Sequence, residues 1–144
     1  SKTRPVAEHF DWAHTVDRLR IAQRLSEQRP AHLPPLQVCL QVNIDGGSTK
    51  SGLAPEQALV LARAVTELPR LNLRGLMTIP DPAADDSAML AVHRHTVEVW
   101  RELQSRLPGI SLDVLSMGMT ADLDLAIQAG STMVRVGTAI FGRR

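Results

Sequence analysis

Short apolar runs alternating with stretches of helical spacing constrain this chain more than any other feature. The runs cover residues 12–16, 37–44, 73–79, 112–115 and 132–136, and the helix-period stretches cover 18–28, 55–68, 87–107 and 121–129. Runs that are apolar on both sides of the pleat belong to strands covered on both faces, which marks a parallel sheet. Strand followed by helix, repeated, implies right-handed crossovers. Pro55 at a first helical turn, Pro30 and Pro69 just past helix ends, and Gly130 at a C-cap punctuate the pattern where helices begin and stop. A closed eight-stranded barrel takes about 250 residues, whereas this chain has 144. The expected fold class is therefore α/β, the C-terminal five strand-helix units of a TIM-type (β/α)8 barrel with the N-terminal units missing. On this reading residues 1–144 form one partial domain.

Composition narrows the function classes. Sixteen basic and 15 acidic residues give a net charge of +1 without a basic patch, so neither nucleic acid nor an anionic membrane is an expected partner. The apolar runs fall well short of the roughly 20 residues a membrane helix needs, and no secretory h-region opens the chain. The single cysteine, Cys39, sits in an apolar run and reads as a buried structural thiol suited to a reducing cytosol. Of the five histidines, His93 and His95 are two apart and should face different sides of their helix, so no metal site is expected.

In such a barrel ligands bind at the C-terminal ends of the strands. Two of those ends, residues 115–119 and 130–142, carry small-residue turns directly after apolar strands. Main-chain N–H groups free of bulky side chains, helped by hydroxyls, form the donor nest a phosphate requires. Ser116 offers a hydroxyl, and Gly137 and Thr138 offer N–H groups at a point where Gly137 has no side chain to hold a phosphate away. Taken alone, Gly118 and Gly137 serve equally well as shapers of tight turns. Arg135 is a charge inside an otherwise apolar run, which calls for a partner if it points inward and an ion pair if it points outward. Asn43 and Met77 either line the mouth or pack the core. Lys50, after a strand end, either reaches the mouth, where it could act on an aldehyde, or is a solvated loop lysine, the reading preferred here. Asp17 and Asp45, the acids at strand ends, look like helix-cap or turn residues. The aromatics Phe10, Trp12, Trp100 and Phe141 read as core or helix-packing residues.

Several segments, in order along the whole chain, carry a resemblance. They are Ser1-Lys2-Thr3-Arg4-Pro5, His14-Thr15-Val16-Asp17, Val42-Asn43-Ile44, Thr49-Lys50-Ser51-Gly52, the stretch Leu73-Arg74-Gly75-Leu76-Met77-Thr78-Ile79-Pro80, and the two small-residue turns. With these the chain resembles the C-terminal portion of the pyridoxal phosphate homeostasis proteins, vitamin B6 binders on a barrel of the alanine racemase N-terminal type. The resemblance implies a pyridoxal 5′-phosphate (PLP) site. In it Ser116, Gly137 and Thr138 hold the phosphate after the seventh and eighth strands, and Arg135 faces the pyridine nitrogen. It also implies that the chain is a fragment, with the Schiff-base lysine upstream of Ser1; Lys2 resembles a helix-entry residue. The chain departs from the family at Thr120-Ala121-Asp122, where Ser-Asp-Asp is commoner, though Thr120 can still cap a helix.

The implied function is non-catalytic carriage or regulation of PLP in cytoplasmic vitamin B6 homeostasis, by a protein that is monomeric or weakly associating when intact. The competing reading is a fragment of a fold-type-III PLP enzyme, an amino-acid racemase or lyase. A two-base racemase needs proton donors on both faces of the ring, and the sequence holds no tyrosine. The expectation is accordingly not an enzyme.

Overall fold

The computed structural model describes residues 2–46, 51–81 and 84–117. Within them the order is α1 (Thr3–His9), β1 (Trp12–Val16), α2 (Leu19–Gln28), β2 (Leu36–Gln41), a 3-10 turn (Pro55–Gln57) running into α3 (Ala58–Thr66), β3 (Leu71–Met77), α4 (Asp86–Arg106) and β4 (Val114–Ser116). Neighbouring strands all pair in parallel in the order β1-β2-β3-β4, so the α/β class with a parallel sheet holds. The apolar run at 132–136 and the helix-period stretch at 121–129 lie outside the described residues. β1 forms one edge of the described sheet.

The helices cover one face. α3 buries Ala58, Leu61, Ala62 and Val65, an i, i+3, i+4, i+7 stripe, and α2 buries Ala22, Leu25 and Ser26. They meet Leu36, Val38 and Leu40 of β2, Leu73 and Leu76 of β3, and Leu115 beside them in the main core. α4 starts where Asp85 accepts from Ala88 N at 2.8 Å, a side-chain N-cap. Along it His93 is fully buried and His95 exposed, the split their spacing implies. Near its end Trp100 Nε1 and Gln104 Nε2 both donate to the Leu112 carbonyl, at 3.0 and 2.8 Å, and so hold the approach to β4.

Two bulges interrupt strict alternation. Leu73 and Leu76 both enter the helix-side core although three residues apart, which a regular strand forbids. The register explains it: Leu73 pairs with Val38 but Gly75 with Cys39, so Arg74 is the extra residue. β1 does the same between Ala13 and Val16.

Cys39, Met77, Val114 and Trp12 pack together on the face turned away from the helices. Burial pushes the Cys39 thiol up from 9.0 to about 12, with the nearby Arg74 charge a smaller opposing effect and Asp113 a smaller one in the same direction. The unfolded thiol ionises near 9 while the folded one stays neutral to about 12, so Cys39 removes stability as pH rises through that window. A Cys39→Ala variant should therefore lose less thermal stability between pH 8 and 10.5 than the wild type. Equal losses in the two proteins would contradict the burial.

Candidate functional site

Parallel strands bring their C-terminal ends to one edge of the sheet, and the pairing Gln41↔Met77↔Ser116 aligns them there. Ser116 is fully buried and lies on the same face as Met77 and Val114, opposite the helices. Its carbonyl accepts from Thr78 N at 3.0 Å, so the segment after β3 continues alongside β4. Of the expected phosphate set, Ser116 thus stands at a strand end, buried on the face away from the helices. Arg135, Gly137 and Thr138 lie outside the described residues, as do Lys50, Gly118 and Thr120.

Met77 is buried and packs against Cys39, Val114 and Trp12, in keeping with the packing reading of that residue. Asn43 is half-buried, and its Oδ1 accepts from Gly46 N at 3.1 Å, closing a turn at the end of β2. The sequence casts the two acids as helix-cap or turn residues, and they do not form the helix cap. No side chain caps α2, and Asp17 Oδ2 instead accepts from Gly52 N at 3.0 Å. Asp45 Oδ2 accepts from Asp81 N at 2.7 Å. Spacing along the sequence favours a local partner for an aspartate, but here the loop beyond the next strand supplies a closer donor. Both carboxylates are thereby committed to main-chain N–H groups, which favours structural work over acid–base chemistry.

A polar cluster at the opposite end of the strands was not foreseen. Arg74 donates to both carboxylate oxygens of Asp113 at 2.9 Å each and to Gln37 Oε1 at 2.9 Å, and lies 5.0 Å over the Trp12 ring. Asn72 Nδ2 also reaches Gln37 Oε1, at 2.9 Å. The Arg74 hydrogen bonds hold the Asp113 carboxyl below its usual range. Trp12, read as plain core, is half of a cation–π pair and meets His14 edge-on at 5.7 Å. These residues tie β1, β2, β3 and the approach to β4 together at their N-terminal ends, away from Ser116.

A cleft of about 560 Å³ opens beside the edge strand, lined by Lys2, Thr15, Asp17, Arg18, Arg24 and Gln41 among others, but not by Ser116, Asn43 or Met77. Among the described residues no group of three or more His, Cys, Asp or Glu is placed to hold a metal ion, and no helix is long and apolar enough to cross a membrane.

The model of the alanine racemase N-terminal domain family matches residues 1–144. The chain belongs to this family. Among alanine racemase N-terminal domains, the chain is 58% identical over 144 residues to the pyridoxal phosphate homeostasis protein of Pseudomonas aeruginosa, covering all of itself and 60% of that protein. The corresponding protein of Escherichia coli K12 is 55% identical, with 61% of its length covered. The chain thus spans about 60% of the curated relatives it matches. PipY of Synechococcus elongatus PCC7942, solved without PLP, superposes with a TM-score of 0.87 at 34% identity, over 98% of this chain and 66% of that one. The same protein with PLP bound gives 0.84 at 33% identity, over 98% and 65%. Alanine racemase of Clostridium difficile 630, at 16% identity and a TM-score of 0.69 over 96% of this chain and 36% of that one, shares the fold.

Proposed function

We propose that this chain is part of a PLP-binding protein that serves intracellular vitamin B6 homeostasis as a carrier or regulator, without a catalytic step of its own. The observation that carries the reading is 58% identity, across every described element, to a protein of that name. The PLP-bound state of PipY on the same architecture supports it.

The described residues suit such a ligand. Ser116 and Met77 lie buried side by side at the strand ends on the face away from the helices, while Asp17 and Asp45 accept from main-chain N–H groups. When bound, PLP supplies an aldehyde that condenses with amines and a ring able to draw electrons from the carbon attached to them. Ser116 would donate its hydroxyl to the phosphate, joined by the N–H groups of Gly137 and Thr138. The Arg135 guanidinium, always protonated, would donate to the pyridine nitrogen and keep that nitrogen unprotonated. A ring held so is a poor electron sink, which suits storage and discourages turnover.

On the same reading residues 1–144 are one partial domain, the last five strand-helix units of an eight-unit barrel. The lysine that binds the aldehyde precedes Ser1, and the intact protein works in the cytoplasm as a monomer or weak associate. Borohydride treatment of the full-length protein with PLP, followed by intact-mass and peptide analysis, tests this. We expect one pyridoxyl group per chain, on a lysine outside residues 1–144, and no adduct on the isolated 144-residue chain. An adduct on Lys2 or Lys50 would overturn the placement of the lysine, and no uptake by the full-length protein would overturn the function.

A further inference from the structure

Two carboxylates tie the exit loops of three successive strands together, each by accepting from a main-chain N–H of the next loop. Asp17, directly after β1, accepts from Gly52 N, 35 residues on, in the loop after β2. Asp45, in that same loop, accepts from Asp81 N, 36 residues on, in the loop after β3. Each step spans one strand-helix repeat, so each acid reaches from its own exit loop to the next one. The donor at Gly52 is closely held. Gly52 sits at φ +116°, where a methyl group would come within 2.7 Å of Asn43 N. Leu53 is pinned beside it by Asn43 N to Leu53 O at 2.9 Å and Leu53 N to Gln41 O at 3.0 Å. On the accepting side, Asn43 Oδ1 takes the Gly46 N–H and closes the turn that holds Asp45.

We infer that Asp17 and Asp45 are positioning residues, a pair of struts that set the rim of the ligand mouth by locking each exit loop to its successor. Neither touches the ligand. The inference rests on the PLP reading, because it says what the rim is held in place for. A mouth whose walls are already ordered loses less conformational freedom when a ligand enters, and so binds it more tightly. The arrangement also suits an anion. A carboxylate whose oxygen faces a main-chain N–H has part of its charge answered by that dipole, and so repels a phosphate less than a bare carboxylate would. Asp17 has in addition the Arg18 guanidinium at 3.8 Å.

The test uses the full-length protein and its Asp17→Ala, Asp45→Ala and doubly substituted variants, with Asp17→Asn and Asp45→Asn as conservative controls. PLP dissociation constants are read by titration, apo thermal midpoints by calorimetry, and main-chain exchange at Gly52 and Asp81 by NMR. Each alanine variant should bind PLP about threefold more weakly and the double variant about tenfold, the size expected for one and two partly exposed hydrogen bonds. The asparagine variants keep an accepting oxygen and should stay within about twofold of wild type. Exchange should quicken at Gly52 in the Asp17→Ala variant and at Asp81 in the Asp45→Ala variant. The apo midpoints should move by only a few degrees, which a purely structural role would not reconcile with a tenfold binding loss. Wild-type uptake of PLP with an unaltered double variant, or unchanged exchange at both amides, overturns the inference while leaving the PLP reading intact. No uptake by the wild type overturns both.

Discussion

Gly75→Ala is expected to abolish the soluble, folded protein or to lower its stability by about 3 kcal/mol or more, the upper range for forcing atoms into a closed core. An ideal Cβ at Gly75 would lie 1.7 Å from the Val114 carbonyl oxygen and 2.7 Å from the carbonyl carbon, and both obstacles are main chain. A flexible side chain could swing aside, whereas these atoms belong to the neighbouring strand, paired with Gly75 itself. Gly75 directly follows the bulge residue Arg74, whose side chain reaches Asp113, Gln37 and Trp12. Making room for a methyl group would separate β3 from β4, break the Thr78 N to Ser116 O hydrogen bond and shift Ser116 at the mouth. Denaturant titration of the variant beside the wild type reads the effect. A loss below about 0.5 kcal/mol, the range of innocuous surface changes, would show that the strands do not approach so closely.

The periodic part of this architecture was legible in the sequence, and the reason is physical. A parallel sheet covered by helices needs apolar runs and apolar stripes, and both leave a plain signal. The run at 12–16 coincides with β1, and the stretches at 18–28 and 87–107 match α2 and α4 to within one residue at either end. The run at 37–44 stops short as a strand, at Gln41 with an isolated bridge at Val42, because the chain turns at Asn43. α1 was not foreseen as an element beyond its entry at Lys2: seven residues containing Pro5 bury only Thr3 and Ala7, too few to show a period. Its support comes from elsewhere, through Thr3 Oγ1 to Gln28 at 2.8 Å and through Arg29.

What the sequence hid is of one kind. Bulges at β1 and β3 leave an apolar run looking unbroken, because an extra residue alters which face is buried and not whether residues are apolar. Asp17 and Asp45 were visible as acids at strand ends, yet a partner 35 or 36 residues away is set by the repeat geometry and not by local spacing. For the candidate site, Ser116 was placed at a strand end by the pattern alone, while its role with Arg135, Gly137 and Thr138 rested on the resemblance. A signal for the struts did exist: an aspartate follows the end of each of the first two strands, at positions 17 and 45.

Arg29 is where the second large effect is expected, and it follows from a buried charge whose partners among the described residues are main-chain carbonyls. Only 4% of its surface is exposed. Its main chain ends α2, and its guanidinium donates from Nη1 to the carbonyls of Ala7 at 3.0 Å and Phe10 at 2.7 Å, and from Nε and Nη2 to that of Pro34 at 3.0 and 2.8 Å. Ala7 lies in the last turn of α1, where helix carbonyls have no partner within the helix and a cation meets the negative end of the dipole. Pro34 leads into β2. One side chain thus satisfies three segments, and truncation leaves their carbonyls buried without it. Arg29→Ala should cost about 3 kcal/mol, given roughly 1–3 kcal/mol for each buried polar group deprived of its partner and some relief from water entering the space. Arg29→Lys should recover only a fraction, because a single ammonium cannot reproduce the fork that spans α1 and the segment before β2. All these carbonyls lie away from the strand ends at Ser116, so PLP bound per folded molecule should stay at the wild-type value while the denaturation midpoint falls. A lysine variant as stable as wild type would mean that charge alone, and not the planar fork, joins these segments.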